Sequence, residues 1–300
     1  GGGWPVSTGA YETTYQGGEF DIGIIKLTPN GSNRVYATYI GGNGKDQPHS
    51  LIVDNQGNLY LAGRTNSSDY PVINNAGVAG GLFDIVVTKI NATGTALLGS
   101  RKIGGTGNDG VNISDSRSQS SLQRNYGDDG RSEIILDGAN NVYVASSTQS
   151  SDFPGTATFF QTTFGGGSQD GVLLKLSSDL NNILFASYLG GNGNDAAYVL
   201  AQDPVSNLIY VAGGTESTNL PGSQTGTVGP SSNGDIDGFI AVINTTGTNV
   251  IRSAFIGTTG KDQIFGIQFD SKGFPYIMGQ TTGSWPIQNA TYGNPAHVAT

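Results

Sequence analysis

The sequence has 300 residues, with 48 glycines, no cysteine and a net charge of −9 from 14 basic and 23 acidic side chains. The acidic balance argues against a nucleic-acid-binding protein, because such proteins present a basic patch. The lack of cysteine excludes a disulfide framework and thiol chemistry. Since no apolar run approaches the roughly 20 residues of a membrane-spanning helix, we expect no transmembrane segment.

Four short apolar segments follow one another in chain order and then recur. The first begins with an aspartate, as in FDIGIIKL (20–27), and a second segment leads to a turn of the form GGxGxD, as at 41–46. A third segment follows this aspartate, and a glycine- and asparagine-rich turn leads to the fourth, as in NLYLAGRT (58–65). Short segments joined by such turns are typical of β-hairpins, so each unit is predicted to contain four antiparallel strands.

The period of this pattern is 63 to 67 residues. The prolines that close the successive units are 66, 83, 67 and 65 residues apart (Pro5, Pro71, Pro154, Pro221 and Pro286). The long interval contains an insertion at 110–130, because Asp109 and Asp137 are 28 residues apart where the other copies have 8. We therefore place the repeats at about 20–82, 83–168, 169–235 and 236–296 of a single domain, 1–300.

Repeated units of four antiparallel strands, without helical periodicity, predict an all-β fold, a β-propeller of four-stranded blades. The pattern GGxGxD…D…GNxYxAGxT…SxDFP closely resembles the SBBP repeat, a family named for seven-bladed β-propellers. The last copy departs from it at Val242, Thr258 and Gly273-Phe274. The resemblance implies a bacterial or archaeal surface protein, often of several domains.

The sequence begins and ends in the same part of the repeat, because Trp4-Pro5 corresponds to Trp285-Pro286. It thus covers four periods and a short overlap, whereas seven blades of this length would need about 455 residues. We expect a segment of a larger ring. The alternative is a ring of four units that closes with a strand shared between the ends.

The aspartates of the GGxGxD turns are the candidate metal ligands. Tandem GGxGxD repeats bind calcium in β-helices, but these copies lie about 65 residues apart and each offers one carboxylate. Our first interpretation is a glycine-shaped turn whose aspartate accepts backbone N–H hydrogen bonds. Calcium is the alternative, with no other cofactor expected. The four residues are Asp46, Asp109, Asp195 and Asp262.

Two further sets of residues recur and are predicted to be structural. A residue required once for catalysis has no reason to recur in every blade, so the opening aspartates and their lysines are assigned to strand-start or interblade contacts (Asp21, Asp84, Asp170 and Asp237; Lys26, Lys89 and Lys175). The tyrosines that precede small residues are assigned to core packing (Tyr60, Tyr143, Tyr210 and Tyr276).

The insertion is the one segment that does not recur, and loops on a rigid scaffold often carry binding residues. It contains tyrosine and arginine, which are preferred contact residues at interfaces. A solvated loop without a partner is the alternative. Its candidate binding residues are Arg117, Arg124, Tyr126, Asp128 and Asp129.

These features predict a non-enzymatic module at the cell surface or in the extracellular space. Its partners would be a protein, a glycan or copies of itself in a surface layer or filament, in an adhesion or gliding role. Nucleophilic catalysis has little support, because the histidines are only His49 and His297. The alternative is a secreted polysaccharide-active enzyme, which would gather an unrepeated carboxylate pair at the propeller centre.

Overall fold

The computed structural model describes residues 3–73, 80–112, 130–155, 158–229 and 231–284, and every regular element in these ranges is a β-strand. The strands are β1 (Ile22–Leu27), β2 (Arg34–Ile40), β3 (Asp46–Val53), β4 (Leu59–Thr65), β5 (Asp84–Ile90), β6 (Leu97–Ile103), β7 (Glu133–Leu136), β8 (Val142–Thr148), β9 (Asp170–Leu176), β10 (Ile183–Leu189), β11 (Asp195–Gln202), β12 (Ile209–Thr215), β13 (Asp237–Ile243), β14 (Val250–Ile256), β15 (Asp262–Phe269) and β16 (Pro275–Thr281). The described residues include no helix long and apolar enough to cross a membrane.

The strands form three complete antiparallel sheets and two half sheets. Blade 1 is β3-β4-β5-β6, blade 2 is β7-β8-β9-β10 and blade 3 is β11-β12-β13-β14. The strands β1 and β2 form an N-terminal half-blade, and β15 and β16 form a C-terminal half-blade. The prediction of four-stranded antiparallel propeller blades is confirmed.

The blades are offset by half a unit from the repeats read in the sequence. The strand that opens each repeat pairs with the last strand of the preceding repeat, as in Thr65↔Asp84 between β4 and β5. The length of a repeat does not show which of its four strands begins a blade, because any of them can be counted first. Hydrogen bonding places the boundary of each blade at the GGxGxD turn instead.

The first strands of successive sheets lie side by side, and we call the region where they meet the centre. Each of β3, β7, β11 and β15 packs against the next one in chain order. One backbone hydrogen bond recurs where a new inner strand begins, since the N–H of Asp46 donates to the Phe20 carbonyl over 2.8 Å. The same bond joins Asp109 to Phe83, Asp195 to Gln169 and Asp262 to Ile236, again over 2.8 Å.

Hydrophobic residues fill the spaces between neighbouring sheets. One cluster joins blades 1 and 2 through Ile85, Val87, Val142 and Leu174. A second cluster joins blades 2 and 3, a third joins blade 3 to β15, and a fourth joins β1–β2 to blade 1. Each complete blade packs both faces against neighbouring sheets, so the core is distributed along the row of blades.

Candidate functional site

Each GGxGxD aspartate is buried and organises its own turn. The carboxylate of Asp46 accepts hydrogen bonds from the Gly42 N–H and the Ser67 hydroxyl, both over 2.8 Å, and from the Thr65 hydroxyl. Asp109 and Asp195 accept the equivalent three donors in blades 2 and 3. The structure thus shows the aspartate-centred turn of our first interpretation, with side-chain hydroxyls added to the backbone donor.

The departure at Thr258 is compensated within the C-terminal half-blade. The Thr258 hydroxyl donates to Asp262 over 2.9 Å, where blade 1 uses Ser67. Gly283 stands at the position of that serine, and a Cβ there would overlap the Thr258 side chain. One hydroxyl has therefore moved across the turn, and the Oδ2 atom of Asp262 keeps a backbone donor and a hydroxyl donor. Its Oδ1 atom has no hydrogen-bond partner, whereas Asp46 also accepts from the Thr65 hydroxyl.

The opening aspartates lie beside the turn aspartates, across each junction between blades. We call these couples the junction aspartate pairs: Asp21–Asp46, Asp84–Asp109, Asp170–Asp195 and Asp237–Asp262. In the first three, a Cβ on the intervening glycine would come within 3.0 Å of an oxygen of both carboxylates. The Oδ1 atoms of all four opening aspartates are buried without a hydrogen-bond partner. Two carboxylates so close in a buried place oppose each other's ionisation.

The pKa values follow from this placement. Burial, followed by the charge of Asp195, raises the pKa of Asp170 to about 7, although the Gly165 N–H lowers it. Burial raises the pKa of Asp109 and of Asp195 to about 6, against the hydrogen bonds that each accepts. Asp21 and Asp237 also have raised pKa values, with burial as the main cause. Asp109, Asp170 and Asp195 therefore bind protons closer to neutral pH than an exposed aspartate does.

The geometry of the junction aspartate pairs limits the oxygen atoms that could bind calcium. Calcium takes six to eight oxygen ligands, whereas donors from the protein already occupy the carboxylates of Asp46, Asp109 and Asp195. Among the described residues, no group of three or more histidine, aspartate or glutamate side chains is placed to hold a metal ion. The structure leaves the Oδ1 atoms of the opening aspartates and of Asp262 as buried carboxylate oxygens without a hydrogen-bond partner. Calcium binding stays a prediction.

A second repeated cluster lies at the opposite end of the strands. The Lys89 ammonium lies 4.6 Å from the Tyr60 ring centre and 4.0 Å from Asp54, and Lys175 lies 4.5 Å from the Tyr143 ring and 3.1 Å from Asp137. Tyr60 and Tyr143 are buried, as predicted. The core-packing prediction is wrong for Tyr276, which is 65% exposed, because no outer strand among the described residues covers it.

Residues that differ from blade to blade lie at β-bulges in the inner strands, which are the first strands of the sheets. Each of β3, β11 and β15 carries one extra residue opposite a glycine of the paired strand, and these residues are His49, Tyr198 and Phe265. The Tyr198 and Phe265 rings stack at 5.3 Å, and the Arg131 guanidinium lies over Phe265 at 5.6 Å. The bulge residues of blade 3 and of the C-terminal half-blade therefore meet at the centre.

Blade 2 has its insertion at this bulge. A Cβ on Gly130 would contact the Gly110 carbonyl, Arg64 and His49, so the two ends of the insertion meet beside the central residues. The Nδ1 atom of His49 lies 2.9 Å from the Ser132 hydroxyl, which directly follows Arg131. The candidates Arg117, Arg124, Tyr126, Asp128 and Asp129 lie outside the described residues.

Sequence reasoning missed the central residues. Their common signal was the third position after the GGxGxD aspartate, where His49, Tyr198 and Phe265 all carry rings. The equivalent position in blade 2 is Asn112, from which the insertion continues.

The described geometry agrees with the comparison to known families. The family model of the SBBP β-propeller repeat matches residues 35–71, which run from β2 through the GGxGxD turn and β4 to Pro71. No curated protein matches the chain. Residues 35–71 therefore form a β-propeller repeat of the SBBP type.

Proposed function

We propose that this chain is a non-enzymatic binding and display module at the cell surface or in the extracellular space. The main observation behind the proposal is that the recurring and the non-recurring polar residues lie in different places. The buried aspartates recur at every junction and are used in holding turns and blades together. The residues that do not recur lie at the centre, beside the root of the insertion.

The central residues suit recognition. Arg131 and Phe265 provide a cation over an aromatic ring, and Tyr198 stacks on that ring. Arginine and aromatic side chains contribute strongly to binding surfaces. The insertion, whose described ends meet beside His49, would add Arg117, Arg124, Tyr126, Asp128 and Asp129 to these binding residues. Its ligand would be a protein or a glycan, with neighbouring copies in a surface layer or filament as a further partner.

The alternative of a polysaccharide-active enzyme requires an unrepeated carboxylate pair. Among the described inner strands, Glu133 is the carboxylate without a counterpart in other blades, and it accepts a 3.3 Å hydrogen bond from Ser50. A serine nucleophile has equally little support. The Ser132 hydroxyl next to His49 is buried and contacts the Ser146 hydroxyl over 2.7 Å.

Binding to a glycan array and to surface proteins of the producing cell tests this proposal. Three forms would be compared: the unaltered chain, an Arg117→Ala/Arg124→Ala/Tyr126→Ala variant, and a Val228→Ala control on an exposed loop elsewhere. We expect the triple variant alone to lose binding, with circular dichroism unchanged. Equal binding by all three forms would remove the insertion from the function, and hydrolysis of a glycan would favour the enzyme.

A further inference from the structure

Asparagines in Asn-x-Ser/Thr sequences are the acceptors of N-linked glycans on the surface loops of secreted proteins. The chain has six such sequences, which begin at Asn30, Asn66, Asn91, Asn112, Asn244 and Asn289. The sugar is attached to the Nδ2 atom of the asparagine, so this atom must be accessible to a transferase. The surroundings of each asparagine therefore distinguish an acceptor from a chance sequence.

Asn30 lies at the tip of the β1–β2 hairpin, where its side chain is exposed. Its Oδ1 atom accepts hydrogen bonds from the Ser32 N–H over 3.1 Å and from the Ser32 hydroxyl over 2.8 Å. Its Nδ2 atom donates no hydrogen bond to any described residue. The amide oxygen therefore closes the turn, whereas the amide nitrogen has no part in it.

The other described asparagines of these sequences are more confined. Asn91 and Asn244 are partly buried, and their Nδ2 atoms each donate to a threonine hydroxyl of their own turn over 2.9 Å. Asn66 is exposed, but its Oδ1 atom accepts a backbone N–H of the GGxGxD turn over 2.6 Å, and its sequence is held against that turn. Asn112 is buried. Asn30 thus combines an unbonded amide nitrogen with a projecting hairpin tip.

The exposure of Asn30 does not depend on the neighbouring strand that β1 lacks. The equivalent residues of the complete blades, each one position before the residue with positive φ, are Thr93, Asp179 and Thr246. All three are exposed, although the next residue of each turn is buried against the preceding sheet. This position therefore projects into solvent in every blade.

Asp179 shows that the turn itself requires no amide nitrogen. Its Oδ1 atom accepts the Asn181 N–H over 3.0 Å and the Ser177 hydroxyl over 2.5 Å, as the Oδ1 atom of Asn30 does with the equivalent donors of its own turn. A carboxylate therefore closes the same turn in blade 2. Folding of the β1–β2 hairpin does not explain why an amide stands at position 30.

We propose that Asn30 is a site of N-linked glycosylation and carries an oligosaccharide at this hairpin tip. The inference rests on the proposed function, because the modification is one of exported chains. The donor is an oligosaccharide joined through phosphate to a lipid, and the transferase of the producing cell supplies the base. The Nδ2 atom attacks the anomeric carbon and loses a proton to that base. A C–N bond forms, the C–O bond to the phosphate breaks, and the phosphate leaves with the electron pair.

Peptide mass spectrometry of the chain isolated from the surface of the producing cell tests this site. Trypsin cleaves after Lys26 and Arg34 and releases residues 27–34, which contain no other Asn-x-Ser/Thr sequence. We expect this peptide to carry the added mass of several sugar units on Asn30. Asn30→Asp should lose this mass and keep the turn, as Asp179 does. Ser32→Ala should lose it although the amide nitrogen is still present.

Two matched controls should keep the glycan. Ser32→Thr retains the hydroxyl of the acceptor sequence, and Asn33→Gln changes an exposed asparagine of the same peptide that lies outside this sequence. Loss of the added mass in Asn33→Gln, or its persistence in Asn30→Asp, would contradict the assignment to Asn30.

The location of the chain separates this inference from the proposed function. A chain recovered at the cell surface with an unmodified Asn30 would overturn the glycosylation site and leave the binding module in place. An unmodified chain that is found only in the cytoplasm would overturn both. The insertion variants do not alter residues 27–34, so loss of ligand binding and loss of the glycan are separate results.

Discussion

The second strand of blade 1 and the second strand of the C-terminal half-blade have related sequences and opposite surroundings. LYLAGRT in β4 is fully buried, whereas PYIMGQT in β16 is exposed almost throughout. Both pair with an inner strand across the same kind of bulge, opposite Gly63 and Gly279. The difference comes from the outer neighbour, because β5 covers β4 and no described strand covers β16.

This comparison shows that the repeat is not the unit of burial. A repeat contributes two strands to one sheet and two to the next, so a complete blade always needs residues from two repeats. Repeat proteins bury their cores through neighbours in general. In this chain the junction also holds a pair of buried aspartates, so that neighbouring units are coupled electrostatically as well as by packing.

Truncating equivalent tyrosines would produce the largest difference between the two regions. Tyr60→Ala removes a buried ring, a 3.1 Å hydrogen bond to the Ser178 carbonyl and the contact with Lys89. We expect a loss of about 3–5 kcal/mol in the free energy of unfolding, as for other buried aromatic residues. Urea denaturation measures it.

Tyr276→Ala is the matched variant, and it should change the free energy of unfolding by less than about 0.5 kcal/mol in dilute solution. Equal losses at the two positions would mean that β16 is covered in solution.

The pH dependence of stability should differ between interior and terminal junctions. Because the folded pKa of Asp170 is about 7 and its ordinary value is 3.8, the folded state binds this proton more tightly than the unfolded chain. The contribution of this carboxyl group to stability is therefore complete below about pH 3.8 and is lost as the pH rises to about 7. Each unit of displacement corresponds to about 1.4 kcal/mol, which gives an upper limit of about 4 kcal/mol.

Asp170→Asn should flatten this part of the curve, measured as the free energy of unfolding in urea from pH 4 to 8. Asp21→Asn is the comparison, since Asp21 lies in the half-buried terminal junction and its effect should be smaller. A curve that stays equally steep in the Asp170→Asn variant would show that this carboxyl is ionised in the folded protein at pH 5.

Because the Thr258 hydroxyl replaces the serine hydroxyl of the other turns, we expect Thr258 and Gly283 to be energetically coupled. Thr258→Gly removes the hydroxyl donor of Asp262, and Gly283→Ser places a Cβ against the Thr258 side chain. Each should destabilise the protein by about 1–2 kcal/mol, as expected for a lost buried hydrogen bond or a local overlap. The double variant restores the glycine–serine arrangement of blade 1 and should recover most of the loss.

A double-mutant cycle by thermal or urea unfolding measures this coupling. Additive losses would mean that the two positions act independently. The matched variant in blade 1 is Ser67→Gly, which removes the equivalent hydroxyl donor of Asp46 without any compensating residue.

Much of the fold could be predicted from residue spacing, and its limits have physical causes. Alternating apolar segments and glycine turns report local conformation, so strand number and antiparallel pairing followed from them. The blade boundary depends on hydrogen bonds between distant segments, such as Thr65 with Asp84, and no local pattern encodes it. The junction pairs were hidden for the same reason, because Asp84 and Asp109 are distant in sequence and meet only at a glycine between sheets.

Adding a chelator should produce the smallest effect, and it tests the calcium alternative. Donors of the protein occupy the carboxylates of Asp46, Asp109 and Asp195, and each opening aspartate offers one free oxygen. A calcium ion would need at least five more oxygen ligands at each interior junction. We therefore expect the melting temperature to be the same in EDTA and in millimolar calcium. A rise with calcium that Asp84→Asn abolishes, but Asp152→Asn on the exposed turn does not, would instead place a calcium ion at the interior junctions.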